Sequence, residues 1–355
     1  MKILFLVPYP TEGPSNRFRV EQYLPHLNQA GYQYTVRPFW TKNAYRILYD
    51  KKVYFKKLFY FFVGTLGRIK DILSVARYDV VFIHREAYPI GPPFFEWLIY
   101  VLKKPIIFDF DDAIFLQNYN PVNRFYRFFK FPLKINRVVQ MSSAIIVANN
   151  FLKEYAEKYN KSVFIIPTAI DTDIFSINKK VDRQLTIGWV GSQTASPYLE
   201  LIFDAMQKLS QRYDFILKIV GAGCKIYIPG VKVENKKWNL ENEIEDFQSI
   251  DIGVYPLPDN LWARGKAAFK AIQYMAVGVP VVASPVGMTK ELIQDGINGF
   301  LANSNEEWIK KLADLIEDEA LRKKIGFNGR NTVEEKFSLN INAPKYLEVI
   351  KKAGI

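Results

Sequence analysis

The chain has 355 residues, 49% of them hydrophobic and 24% charged, a globular composition spread over more chain than one ordinary core accommodates. Its single cysteine, Cys224, excludes a disulfide framework and a cysteine-based zinc site, and reads as a small buried hydrophobe in a reducing compartment. A net charge of +12 suits an anionic partner: nucleic acid, anionic lipid or a phosphorylated substrate.

The opening "MKILFLVPYP" holds an apolar run too short for a secretory signal; Pro8 ends it and no small-residue cleavage site follows. No stretch approaches membrane-spanning length, so the expectation is a cytoplasmic protein, soluble or bound at a surface. Residues 2–7 predict a strand entering a turn over 8–14. A helix follows in "NRFRVEQYLPHLNQAGY", ending near Gly31, then a strand in "YTVRPF". Further strands are predicted at 78–84, 104–110, 143–149 and 162–168. Continuous apolar strands separated by helices argue for a parallel sheet covered on both faces. The series then restarts with a strand at 184–192, a helix in "YLELIFDAMQKLSQRY", strands in "FILKIVGAG" and "VKVEN", and a helix in "ENEIEDFQSI". It continues with a strand in "DIGVYPL", a helix opening at Arg264 and a strand in "PVVAS". The polar stretch near 175–183 reads as a linker. The prediction is an α/β chain of two doubly wound Rossmann-like domains, 1–175 and 176–337, with ligands in an interdomain cleft. An amphipathic closing helix, 338–355, is able to pack on either domain.

The segment "RGKAAFKAIQYMA" raises an electrostatic question. As one helix from residue 264, it places Lys266 and Lys270 on one face, with Gln273 beside them. Like charges four residues apart repel, and cations near a helix start oppose the dipole. A bound anion reverses both effects. The surrounding residues are apolar, which predicts a buried helix whose lysines need partners. Arg264, Lys266 and Lys270 together suit a diphosphate; a solvated basic turn is the plainer alternative. "IGWVGS" turns from strand to helix through Gly191 and Ser192, whose amides can approach a phosphate, although glycine after a strand is commonly just a turn.

The run "FKAIQYMAVGVPVVASPVGMTKELIQDGINGFLA" resembles the nucleotide-sugar site of family 4 glycosyltransferases of GT-B fold. These have a helix ending in E-A-M-A or E-Y-M-A, then G-x-P-V-V-A-S, a glycine, a glutamate-containing helix and N-G-x-L. The resemblance is close over 264–302, and the double Rossmann layout agrees over the whole chain. It implies a nucleoside-diphosphate sugar on the second domain, with diphosphate on Gly191, Ser192, Arg264, Lys266 and Lys270 and ribose on Gln273. Trp238 either flanks the base or belongs to the core. It also implies transfer to a hydroxyl with retention at the sugar, no cofactor and no metal. This sequence departs from the family at three places. Gln273 stands where the second of two spaced glutamates is usual, and Gly265 where the first is. The Arg and Lys that commonly follow the first strand of the second domain are missing from "VGSQTASPYLE". The resemblance is therefore to a subgroup whose helix begins R-G-K.

In the first domain, "DFDDA" (109–113) closes a strand. Asp109 is expected to point to the opposite side from Phe110, leaving Asp111 or Asp112 to face the cleft and orient or deprotonate an acceptor hydroxyl; a helix cap is the alternative. A D-x-D metal site is the reading of a different transferase fold and is not expected here. His84, in "IHREAYP", is either a catalytic group or a structural histidine bonded to Glu86. Arg17, in "PSNRFRV", falls where the family binds acceptor and donor phosphates. Segments 51–70 and 123–137 interleave aromatics with Lys and Arg, as helices in anionic headgroup regions do; core helices with snorkelling lysines, or stacking on nucleic-acid bases, are the alternatives. A lipid-linked or membrane-near glycan acceptor fits these segments best, with no nucleic-acid partner. The rival functions are a nucleotide-sugar epimerase on the same fold and a non-catalytic basic membrane- or RNA-binding protein.

Overall fold

The computed structural model describes residues 1–48, 50, 52–116, 131, 133–177 and 184–354. The chain divides into two compact units, Met1–Ala169 with Asn342–Ile355, and Ile170–Ile341. The first holds a parallel sheet of β1 (Lys2–Val7), β2 (Gln33–Pro38), β3 (Val80–His84), β4 (Ile106–Phe110), β5 (Ala144–Val147) and β6 (Val163–Ile165). Its strand order is β2-β1-β3-β4-β5-β6. The strands β3, β4 and β5 are buried at every residue, as continuous apolar runs covered on both faces require.

The second unit holds β7 (Thr186–Val190), β8 (Ile216–Val220), β9 (Val233–Lys236), β10 (Ile252–Tyr255), β11 (Val281–Ala283) and β12 (Phe300–Leu301), in the order β12-β11-β10-β7-β8-β9. Ile187, Trp189, Leu217, Ile219 and Val254 lead its core, against the helix Phe203–Ser210 on one side of the sheet. The two-residue strand β12 has no counterpart in the expected elements, being too short to show a period.

Three local readings change. The helix expected after β1 is divided into Pro14–Arg19, a tight 3-10 turn Glu21–Tyr23, and Leu24–Gln29. Val20 leaves helical geometry at φ −129°, and Pro25 sits in the first turn of the new helix, where its missing N–H costs nothing. The helix after β7 opens as a 3-10 segment, Ser196–Ile202. Cys224 is exposed in the loop after β8 rather than buried.

Residues 170–177 stay with the second unit, where Arg330 donates to the carbonyls of Thr172 (2.8 Å), Phe175 (2.5 Å) and Ala276. The change of unit therefore falls at Ala169; 178–183 lie outside the described residues. The closing helix Leu339–Ala353 gives Asn342 onward to the first unit, where Tyr346 stacks on Tyr23 with ring centres 4.1 Å apart. Of the two basic-aromatic segments, the first forms the helix Tyr54–Ser74, and most of 123–137 lies outside the described residues.

Candidate functional sites of the two units

In an open parallel sheet, the helices on either side of a topological switch point run to opposite faces. A crevice is left there beyond the carboxyl ends of the strands. The switch points are β1/β3 in the first unit and β7/β10 in the second. The sequence motifs fall at both.

In the second unit, β7 and β10 pair only through Ile187–Ile252 and Gly188–Gly253. Beyond that register the hydroxyl of Tyr274 takes over, accepting from the Val190 amide (2.8 Å) and donating to the Gly188 carbonyl (3.0 Å). Gly253 makes room for it, because a Cβ there would lie 2.6 Å from the tyrosine ring. Burial pushes the phenol well above its ordinary pKa, so it remains a neutral donor. The helix beginning at Phe269 is thereby tied to the end of β7.

The segment 264–276 is not the single helix expected. Leu261–Arg264 forms one turn, capped by Asn260 and closed by Gly265; Ala268 takes a left-handed φ of +50°, and a new helix runs Phe269–Ala276. Gly287 lies so close to the Arg264 backbone that a Cβ would sit 2.4 Å from its carbonyl oxygen. A left-handed alanine costs about 1–2 kcal/mol, and such strain persists where the surroundings over-determine it. Lys266 therefore lies in the connecting loop and does not share a helical face with Lys270. Both are partly buried. The ammonium of Lys270 donates to Gln273 Oε1 (2.8 Å) and lies 5.2 Å from the ring centre of Phe247. Gln273 is fully buried, and its Nε2 has no hydrogen-bond partner among the described residues. Arg264 is half-exposed and forks onto Asp259 at 2.7 and 3.1 Å.

Gly191 ends β7 with its amide on the Val220 carbonyl (3.0 Å). A Cβ there would strike the Trp189 ring at 2.2 Å, and one on Gly221 would strike the Gly191 oxygen at 2.3 Å. The turns after β7 and β8 are thus pressed together as only glycine allows. Ser192 follows, exposed, its Oγ 2.9 Å from Thr194 Oγ1 and its carbonyl accepting from Ala195 and Ser196. Trp238 is half-buried just past β9, against Gly221. All these residues follow the carboxyl ends of β7, β8, β9 and β10.

In the first unit, His84 and Asp109 are register partners at the ends of β3 and β4. The Oδ2 of Asp109 lies 2.6 Å from His84 Nδ1, and both side chains are fully buried. This replaces the expected His84–Glu86 pair; Glu86 faces Lys134 instead, at 3.5 Å. Arg19 holds Asp109 through Nε (3.2 Å) and Nη2, and Ile166 O through Nη1 (2.7 Å). His84 Nε2 is left without a hydrogen-bond partner among the described residues. Arg85 has a left-handed φ of +60° and spreads its guanidinium over Asp111 and Asp112, at 2.7 Å each. Burial opposes ionisation of Asp111, but Arg85, His84 and Arg19 outweigh it and hold the carboxyl well below its usual range. Burial likewise opposes the charge on Arg85, and Asp111 and Asp112 overcome it, raising that pKa. Asp111 is thus a fixed anion and a poor proton acceptor, which leaves it orientation rather than deprotonation. The guanidinium of Arg17 lies 5.0 Å from the Phe18 ring centre.

Arg19, Asp109 and Arg85 have no role in the sequence reading. The signal that could find them is register: strands β3 and β4 end together, so their last polar residues must face one another across the ladder.

Residues 184–318 match the glycosyl transferases group 1 family. An uncharacterized glycosyltransferase of Methanocaldococcus jannaschii is 27% identical over 209 residues, 56% of this chain and 56% of its own length. A capsular polysaccharide biosynthesis glycosyltransferase of Staphylococcus aureus, CapM, is 37% identical over 105 residues, 29% of this chain and 26% of its own. The chain thus matches little more than half the length of the first of these curated relatives and about a quarter of the second. In fold the likeness runs through. A glycosyltransferase of Rickettsia africae superposes with TM-score 0.69 at 18% identity, covering 99% of this chain and 98% of that one. The HepE protein of Anabaena, solved with UDP-glucose, does so with TM-score 0.68 at 16% identity, over 99% and 100%. With two six-stranded parallel sheets of Rossmann type the chain has the GT-B fold, and the second of them lies within the segment that matches the glycosyl transferases group 1 family.

Proposed function

We propose that the protein transfers a sugar from a nucleoside-diphosphate sugar to a hydroxyl of a lipid-linked or membrane-near glycan, with retention at the sugar carbon. The observation that carries this reading is the seating of Lys270 and Gln273 at the β7/β10 switch point, within the segment that matches the family. Lys270, Lys266 and the turn at Gly191–Ser192 would hold the diphosphate, joined by Arg264 when it exchanges Asp259 for phosphate. Lys270 donates to the amide oxygen of Gln273, and that oxygen keeps a second lone pair for a ribose hydroxyl. The base would lie beside Trp238.

As the glycosyl bond breaks, negative charge grows on the diphosphate. Cations already in place there lower the barrier by several kcal/mol. They supply the counter-charge a metal would otherwise bring, and the reading includes neither metal nor cofactor. In the first unit, His84 and Asp111 would face the reacting hydroxyl, His84 as proton acceptor through Nε2 and Asp111 as a fixed anion, with Arg17 and Asp112 toward the acceptor. HepE was solved with UDP, and CapM is named for capsular polysaccharide biosynthesis; both support a nucleotide-sugar donor and a cell-surface glycan here. The setting would be cytoplasmic, peripheral to an anionic membrane. Among the described residues no helix is long and apolar enough to cross one.

The test is incubation of the full chain with a panel of sugar nucleotides, with and without membrane lipid extract and with and without a chelator. Lipid-dependent release of nucleoside diphosphate with a labelled glycolipid is expected. An epimer without release, or no turnover of any donor, overturns the reading.

A further inference from the structure

The helix Tyr54–Ser74 is built inside out. At 100° per residue, Phe55, Phe59, Phe62, Leu66, Ile69 and Leu73 fall within an arc of about 80°, and this arc is the exposed one: Phe55 is 89% and Leu73 82% accessible. The opposite face carries Gly64, Arg68 and Asp71, all buried. Gly64 lets the helix approach the Phe39 backbone, where a Cβ would come within 2.7 Å of the carbonyl oxygen. Arg68 donates to Asp71 (3.0 Å), and lies 3.4 and 3.5 Å from the Arg37 and Val7 carbonyls. A helix free to roll would bury the phenylalanines and hydrate the arginine. Here the ion pair is locked inward, so the apolar stripe is presented outward by construction. A helix packed beside it, Phe94–Val101, adds exposed Phe94, Trp97 and Tyr100, the first two stacked at 6.0 Å.

Charge decides what covers this surface. The only acidic residues of the two helices, Asp71 and Glu96, are buried. The charges left toward solvent are Lys56, Lys57 and Lys70. A second copy pairing through the stripe would find no acidic flank to set its register, and an antiparallel pair would bring Lys56 toward Lys70. An anionic bilayer meets both features: apolar side chains enter below the headgroups, flanking lysines reach the phosphates, and Trp and Tyr sit at the boundary.

We propose that Tyr54–Ser74 lies in the plane of an anionic phospholipid bilayer with Phe55, Phe59, Phe62, Leu66, Ile69 and Leu73 immersed, and Phe94–Val101 as a second anchor. This rests on the membrane-side acceptor read above and adds the face and the mode, insertion rather than adsorption by charge alone. Flotation of the full chain with vesicles of phosphatidylcholine and phosphatidylglycerol, and of phosphatidylcholine alone, tests it. The wild type is expected to float with the anionic vesicles and to stay bound in part at high salt. The triple change Phe59→Ser, Phe62→Ser, Leu66→Ser should weaken binding at least tenfold with thermal unfolding unchanged, since these side chains pack on little within the protein. Lys56→Gln with Lys70→Gln should remove the preference for anionic lipid. The proposal is overturned if the wild type ignores both vesicles, if the triple variant binds undiminished, or if that variant instead converts a dimer to a monomer in sedimentation. Nucleoside diphosphate release from a sugar nucleotide, measured alongside, separates the two readings. Vesicle binding without release sinks the transfer reading alone, and release without vesicle binding sinks this one.

Discussion

His84, the last residue of β3, and Asp109, next to last in β4, meet side by side, Nδ1 to Oδ2 at 2.6 Å, sealed from solvent. Arg19 closes the other side of the carboxylate, so two cation-capable groups share one buried anion. Removing one member of such a group strands a buried charge, at about 3–5 kcal/mol. Asp109→Asn should lower unfolding free energy by about that amount. Urea titration followed by tryptophan emission reads it; a loss below about 1 kcal/mol would mean the arginine finds water or another partner.

Lys270 and Arg264 separate the partly buried cation from the exposed one. Lys270→Ala should raise the donor KM by about two orders of magnitude and lower kcat as well, because its charge acts most on the leaving diphosphate. Arg264→Ala should have a smaller effect, about threefold to tenfold, since in the resting chain its guanidinium belongs to Asp259. Asp259→Ala frees that guanidinium and should lower the donor KM. If Asp259→Ala raises KM, the arginine does not turn toward phosphate.

Asp111 makes a pH prediction with a definite sign. Its folded pKa lies below its unfolded value near 4, so it adds stability above that value and loses it as pH falls through the folded one. Asp111→Asn should flatten the decline of Tm below about pH 4 and leave the shape of the rate profile between pH 5 and 8 unchanged, because the carboxyl is ionised throughout. A rate limb in that interval that vanishes in Asp111→Asn would restore it as a proton acceptor.

Tyr346 reaches from the closing helix onto Tyr23 and Phe82, 4.1 and 5.4 Å between ring centres. Tyr346→Ala should cost about 3–5 kcal/mol by leaving a cavity between buried rings. Unfolding should show the loss in the transition of the first unit, with the second unchanged. Equal loss in both transitions would show that the units unfold as one.

Much of this protein is written in its local pattern. The alternation of apolar runs with helical segments predicts eleven of the twelve strands among the described residues, because a strand covered on both faces must be apolar throughout and so announces itself. The basic segment at 264–276, the turn at Gly191 and the strand ends carrying His84 and Asp111 are visible for the same reason: each is a short chemical signature next to a strong element. Local pattern is silent on what lies across space. The strand orders, which place the switch points at β1/β3 and β7/β10, come from long-range packing. So does the close approach of Gly287 to the Arg264 backbone, just before the break at Ala268. The partners of Asp109, Asp111 and Asp112 depend on which guanidinium the register brings near, and the outward turn of the phenylalanine stripe at 55–73 depends on a buried ion pair on the far side of the same helix. Periodicity tells which residues share a face; only the tertiary contacts tell which face meets the protein.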